Sequence, residues 1–435
     1  MGRQMERDLA SNLEKSTFGR LLRTYRSHLG LSLAQLAARL HFDKGHVSKI
    51  ETDKRPPSVS FARACDRVLE SGDTFTSIAE ALEAAGRQQL WIRPAQLLAA
   101  HRNFVGRRRY LDRLDSVLLD DERSLGLPVA VLDGPPGVGK TALAVQWAQR
   151  AVEDGHFADG QLFVDLRGPG SAAAEPAAVL ADLLRALGVP PARVPADLEQ
   201  RGAAFRSLLY GRNVLLVLDN AAGTRQIHPL LPGSRGCAVV ITSRVRLPGL
   251  TSRLGAVTLT LTELSSPEAI RLVRSIIGDE RTGADPAAVA TLAELCGHLP
   301  LALVRAAEQI VHHRHHSAAA LVTDLKPESA RLDLAEGEVT IRGVFDSSYA
   351  LLDEESARVF RLLGLHPEAV FTVADAATIA GVGEGEAARL LHKIAGAHLI
   401  RHRDQHLFQF NDLLRAYAAE LTKLVDTGTR RLSGN

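Results

Sequence analysis

Two rhythms of apolar positions divide this chain. Over residues 17–85, apolar side chains recur at helical spacing. In "LSLAQLAARL", Leu33, Leu36, Ala37 and Leu40 fall at i, i+3, i+4 and i+7, one stripe on a helix. Short helices joined by brief turns are expected there. From about Val129 the pattern becomes short β-rich runs at "VAVLD" (129–133), "QLFVDL" (161–166), "VLLVLD" (214–219), "AVVITS" (238–243) and "AVTLTL" (256–261). Helical stretches lie between most of them, which predicts a parallel, doubly wound sheet. "RGPGSAAAEPAA" (167–178) reads as a loop through its Gly and Pro. After Leu261 the pattern is helical to about Leu325. The remainder, to Leu424, is helical with one hairpin at "LIRHRDQHLFQF" (399–410).

The first of these regions carries a DNA-reading pattern. Ser32 is placed to cap one helix and Asp43 the next, behind the turn "HFD". In the second helix Val47 and Ile50 are expected to face inward, and Lys44, Gly45, His46, Ser48 and Lys49 outward. A short basic helix behind a tight turn is the shape that enters a DNA major groove. Lys44 and His46 then lie where base edges are read, Lys49, Lys54 and Arg55 suit phosphates, and Ser48 is a further DNA-binding candidate. Residues 1–55 hold eleven Lys and Arg against six Asp and Glu, which fits a nucleic-acid module. A helical adaptor with a solvated basic face is the alternative. The stretch resembles the Cro/C1-type (XRE) helix-turn-helix family through Ser32, Leu36-Ala37, Val47-Ser48, Ile50-Glu51 and Pro56-Pro57-Ser58. That resemblance implies promoter double-stranded DNA as partner.

The second region carries a phosphate-binding loop. "GPPGVGKT" (134–141) follows a strand and opens a helix, the context in which G-x-x-x-x-G-K-[ST] cradles phosphates. Gly134, Gly137 and Gly139 permit the tight turn, and Val138 and Ala142 belong to the same cradle. Lys140 is the phosphate cation and Thr141 a Mg²⁺ ligand. Asp219, ending an apolar run, is the second Mg²⁺ residue. Asn220 follows where a rapidly cycling NTPase usually has another acid, and no obvious second carboxylate is present. Arg244, after "VVITS", is placed to contact a γ-phosphate; from the residues alone it reads equally as a surface arginine.

"FVGR" (104–107), the P-loop, "LLVLDNA" (215–221), "ITSR" (241–244), "CGHLPLAL" (296–303) and "FNDLLRAYA" (410–418) occur in the order of an NB-ARC module. Residues 104–424 resemble that module of the STAND class of NTPases. "PAQL" and "FVDLRG" (163–168) are similar to the bacterial AfsR/SARP-like regulators. The resemblance implies ATP or ADP with Mg²⁺ as cofactors, Val105 and Arg107 near the adenine, and Pro300 on its face. It implies the Arg244 strand between those of the P-loop and Asp219. Asn411 occupies the place of a histidine that in relatives senses the β-phosphate. The fold class expected is multidomain: an all-α helix-turn-helix (1–85), a linker (86–103), an α/β P-loop NTPase domain (104–261), an α-helical domain (262–335), a winged-helix domain (336–425) and a flexible tail (426–435).

Composition adds little that changes this. The chain of 435 residues is 46% hydrophobic and 23% charged, with a net charge of +2. Cys65, Cys237 and Cys296 form no C-x-x-C and are expected as reduced core residues. No apolar h-region or membrane-length run is read, so a cytoplasmic protein without membrane partners is expected. "HHRHH" (312–316) suggests a metal only weakly beside a solvated helix end. The expected function is a nucleotide-gated, DNA-binding transcriptional regulator with slow hydrolysis, about one turnover per minute or less. It would oligomerise in the ATP state. An oligomerising STAND NTPase of antiphage or stress signalling is the alternative, and a steadily cycling ATPase is disfavoured by Asn220. Relatives carry repeats as signal sensor after the winged helix. None is read here, so the signal is expected from a partner protein, a ligand or the nucleotide pool.

Overall fold

The computed structural model describes residues 18–119, 126–168, 173–313, 317–336, 339–404 and 406–432. It divides into two compact units, residues 1–92 and 93–435.

The first unit is a helix-turn-helix bundle of α1 (Phe18–His28), α2 (Leu33–Leu40), α3 (Lys44–Glu51), α4 (Val59–Leu69) and α5 (Thr74–Leu90). Ser32 and Gln35 close a capping box at the start of α2. Asp43 caps α3 by accepting from the Gly45 and His46 N–H groups at 2.7 and 3.1 Å. Leu36, Val47, Ile50 and Phe61 fill the core. Glu51, at the end of α3, is buried; the Arg26 guanidinium of α1 donates to it at 2.8 and 3.0 Å and to the Leu31 carbonyl at 2.8 Å. That knot fixes α3 against α1.

The second unit is built on a parallel sheet ordered β2-β3-β4-β1-β5, from β1 (Val129–Asp133), β2 (Gly160–Asp165), β3 (Val214–Ala221), β4 (Ala238–Ser243) and β5 (Val257–Thr260). The order has β4 between β1 and β3. Ala130, Leu132, Val217 and Val240 pack under α6 (Arg108–Leu118) and α7 (Lys140–Glu153). Their strand neighbours Val131, Leu216, Leu218 and Ile241 are fully buried as well. A sheet covered on both faces explains the unbroken apolar runs of the sequence. Part of the stretch read as a linker is an edge element here: Ala95 bridges Gln161 of β2, whose N–H donates to the Pro94 carbonyl at 2.7 Å.

Helices follow: α8 (Ser266–Ile277), α9 (Pro286–Leu295) and α10 (Pro300–His312), then α11 (Ile341–Tyr349), α12 (Glu354–Leu363), α13 (Val373–Ala380) and α14 (Glu384–Gly396). The expected hairpin is present as β7 (Arg401–His402) and β8 (Leu407–Gln409), joined by β6 (Val370–Thr372) into an antiparallel sheet ordered β6-β8-β7. The two helical stretches share one core, running from Leu264 through Leu303 and Phe360 to Ala418. The last helix, α15 (Asp412–Leu432), continues into the stretch expected to be a tail. Among the described residues no helix is long and apolar enough to cross a membrane.

The Arg26–Glu51 pair is largely buried, with side chains 18% and 5% exposed. Glu51→Ala strands the Arg26 charge, and the expected cost is about 3 kcal/mol. Denaturant unfolding followed by a probe in the first unit measures it; a loss below about 0.5 kcal/mol would show the pair to be worth no more than a surface one.

Candidate functional site

The site forms at the carboxyl ends of β1, β3 and β4, where a parallel sheet opens its crevice. The loop from Gly134 to Thr141 turns off β1 into α7. Gly134 has φ 145°, and a Cβ there would lie 2.5 Å from the Leu261 carbonyl oxygen. Gly137 has φ 77° and approaches Leu299 and Leu301 closely enough that a Cβ would meet them at 3.1 Å. Protein partners take up the loop carbonyls. Lys140 Nζ donates to the Gly134 and Pro135 carbonyls at 2.8 Å each. The Leu301 N–H donates to Gly137 at 3.2 Å, and Arg107 Nη2 to Val138 at 3.0 Å.

Lys140 is 8% exposed. Burial, reinforced by the neighbouring Arg244 charge, pulls its ammonium down to a pKa of about 7, against the pull of Asp133 and Asp219. Asp219 closes the continuous buried run of β3. Its Oδ1 accepts from the Thr141 hydroxyl at 2.8 Å and from the Thr242 hydroxyl at 2.6 Å. Burial raises the Asp219 pKa while the two hydroxyls oppose that rise. Thr242 Oγ1 also accepts from the Asn220 N–H at 2.8 Å, joining β4 to the end of β3. Arg244 is half-buried just beyond β4. Its guanidinium makes a long 3.5 Å contact to the Val344 carbonyl of α11. Burial lowers its pKa, with Asp219 and Asp165 opposing the fall.

A cavity of about 640 Å³ gathers these groups, within the usual range for a small-molecule or cofactor site. Its walls include Val105, Arg107, Gly137, Val138, Gly139, Lys140, Thr141, Ala142, Asp219, Arg244 and Pro300, all expected from the sequence. Arg107 serves also as a buttress: besides Val138 it holds the Thr262 carbonyl at 2.6 Å. The donors suit a phosphate chain and a hard divalent cation: an ammonium, a hydroxyl and a carboxylate at the mouth of a glycine loop.

Two expected residues do not line this cavity. Gly134 lies behind it, on Leu261. Asn411 lines a separate cavity of about 860 Å³ beyond Arg107. There its amide donates to Glu263 at 3.1 Å and to the Gly297 carbonyl at 3.2 Å, so its hydrogen bonds are already committed. Sequence reading passed over several residues that line the nucleotide-type cavity, Asp165 and Thr242 among them. Asp165 ends β2 and Asp219 closes the apolar run of β3, each an acid after an apolar run, and that parallel was its signal.

In the first unit Lys44, Lys49, Lys54 and Arg55 are exposed on and just after α3. Ser48 is half-buried. His46 departs from the outward placement expected for it. Its ring stacks on Phe42 at 5.4 Å and meets Phe61 edge-on at 5.7 Å. Phe42 lies just before the N-cap Asp43, so the tight turn into α3 folds its ring back over His46 in the first turn of the helix. Among the described residues no group of His, Cys, Asp and Glu is arranged to hold a metal by itself. His315 and His316 of "HHRHH" lie outside the described residues.

Two family models match parts of the chain: a helix-turn-helix domain over residues 17–74 and an AAA domain over residues 126–226. Two proteins named "Regulatory protein AfsR" are similar to it. The one from Streptomyces griseus is 40% identical, over 86% of this chain and 37% of its own length. The one from Streptomyces coelicolor is 36% identical, over 92% of this chain and 39% of its own. The chain thus spans little more than a third of these relatives. Among solved structures, a Walker-type ATPase of Pyrococcus abyssi has a TM-score of 0.48 and 13% identity, covering 75% of this chain and 98% of that one.

The Lys140 pKa makes a signed prediction. It is lower in the folded chain, about 7 against 10.5, so between those values the unfolded chain binds more protons. The protein therefore gains stability from this group as pH rises from 7 toward 10.5. Lys140→Met should melt higher than wild type at pH 6, and the difference should shrink by pH 9. Parallel melting curves for the two proteins would argue against a depressed Lys140.

Proposed function

We propose that this chain is a DNA-binding transcriptional regulator whose NTPase module works as an ATP/ADP switch. Its curated relatives are named as regulatory proteins, and their likeness covers both the helix-turn-helix and the P-loop parts. In this reading residues 1–85 bind DNA through α3, residues 104–261 bind nucleotide, and residues 262–335 and 336–425 are a helical and a winged-helix domain of NB-ARC type. The antiparallel sheet among α12, α13 and α14 supports the winged-helix assignment. Lys44 at the start of α3 faces bases, and Lys49, Lys54 and Arg55 face phosphates.

The observation that carries the switch is the position of Arg244. It lines one cavity with Lys140 and Asp219 and also touches the Val344 carbonyl of the C-terminal helices. A γ-phosphate placed on Lys140 attracts the same guanidinium. ATP and ADP then differ in how firmly those helices are held, the difference in affinity that a switch requires. Mg²⁺ would be held by Thr141 and Asp219 and would neutralise the phosphate charge. Lys140 and the loop N–H groups bind the phosphates, and Pro300 and Val105 wall the base.

Nucleotide released by denaturing the purified protein should be ADP, and Lys140→Ala should come without it. Unchanged nucleotide in that variant would remove the P-loop assignment. Deleting residues 1–92 should abolish binding to duplex DNA and spare nucleotide binding. DNA binding that persisted would move the DNA site to the C-terminal helices.

A further inference from the structure

The position after Asp219 is where a second acid is sought, and its backbone closes it to that task. Asn220 has φ 56°, in the left-handed region that Asn tolerates. The β3–β4 register shifts between Leu218 and Ala221, which makes this a bulge. The Asn220 N–H is held by Thr242, and its carbonyl accepts from the Gly168 N–H at 2.7 Å. Its amide lies so close over Gly168 that a Cβ there would be 2.8 Å from Asn220 Oδ1. Residue 220 borders the cavity too, but it works as a backbone corner whose amide packs over Gly168 of the β2 loop.

The neighbouring strand brings an acid instead. Asp165 is the last residue of β2 and pairs in register with Asp219. Such partners in adjacent parallel strands are about 4.8 Å apart. Asp165 lines the same cavity as Lys140, Thr141 and Asp219. Asp165 is exposed at the rim of the cavity, and its Oδ1 accepts from the Arg167 N–H of its own loop at 2.8 Å.

We propose that Asp165 is the second carboxylate of the magnesium site, holding a water of the metal beside Thr141 and Asp219, the role that residue 220 cannot take. This rests on the nucleotide-binding reading above. Magnesium keeps several waters and is bound through one or two carboxylates, so a neighbouring acid acts through a water. Asp165 is here a positioning residue for the metal.

The test is ATP affinity of the full chain, in EDTA and across a Mg²⁺ titration, for wild type, Asp165→Asn and Asn220→Asp. Asn at 165 keeps the acceptor for the Arg167 N–H and removes only the charge. Asp165→Asn should bind ATP in EDTA as tightly as wild type or more so. It should need about tenfold more Mg²⁺ for the half-maximal magnesium effect, as for other outer partners of a metal. Asn220→Asp should leave the Mg²⁺ requirement unchanged. A wild-type Mg²⁺ requirement in Asp165→Asn overturns the proposal. Should that variant change only its preference for ATP over ADP, Asp165 serves Arg244 and the metal role is lost. A lowered Mg²⁺ requirement in Asn220→Asp overturns the claim that residue 220 is closed. Wild-type protein that binds no ATP in either condition defeats the nucleotide reading itself, and the proposal with it.

Discussion

The site hangs on one buried carboxylate held between two hydroxyls. An ionised acid taken out of water is costly unless its oxygens are occupied. Asp219 meets that demand with Thr141 from the first turn of α7 and Thr242 from β4. The demand fixes geometry as well as energy. It ties the end of β3 to the P-loop helix on one side and to β4 on the other. Because Thr242 also takes the Asn220 N–H, the chain leaves β3 along a set path toward the β2 loop. The mouth of the cavity is in this sense drawn by a single side chain.

Much of this was written in short stretches of sequence. "GPPGVGKT" is legible because its residues act together while adjacent in the chain. The same holds for Ser32 and Asp43, whose caps close over two or three residues. What escaped depends on distant partners. His46 looks outward on a helix drawn alone, yet Phe42 and Phe61 hold its ring down. Residues 94–96 look like linker because they pair with β2 rather than with a sequence neighbour. Asn411 shows a donor where the motif order expects a phosphate sensor, but Glu263 and Gly297 occupy it. The left-handed backbone at Asn220 is also invisible in a string of letters. Its neighbours suggested a lost acid, and the fold makes it a corner.

The phosphate-binding loop depends on the rest of its unit. Arg107 comes from before the sheet and Leu301 from the start of the helical region, and each takes a carbonyl of the loop. Gly137, Val138 and Gly139 line the cavity, and a glycine loop whose carbonyls are engaged on protein meets an anion through its N–H groups. Arg107 achieves this at the expense of burying a guanidinium, which the Thr262 and Val138 oxygens and nearby Glu268 offset.

The core shared by residues 264–418 has a mechanical consequence. Two stretches that look like separate domains in sequence have no solvent between them to slide through. A hinge needs a seam where few apolar groups would be exposed, and close packing denies one here. Leu264 and Leu272 belong both to the cavity wall and to this core, so a displacement at the wall is passed to both stretches together rather than absorbed between them.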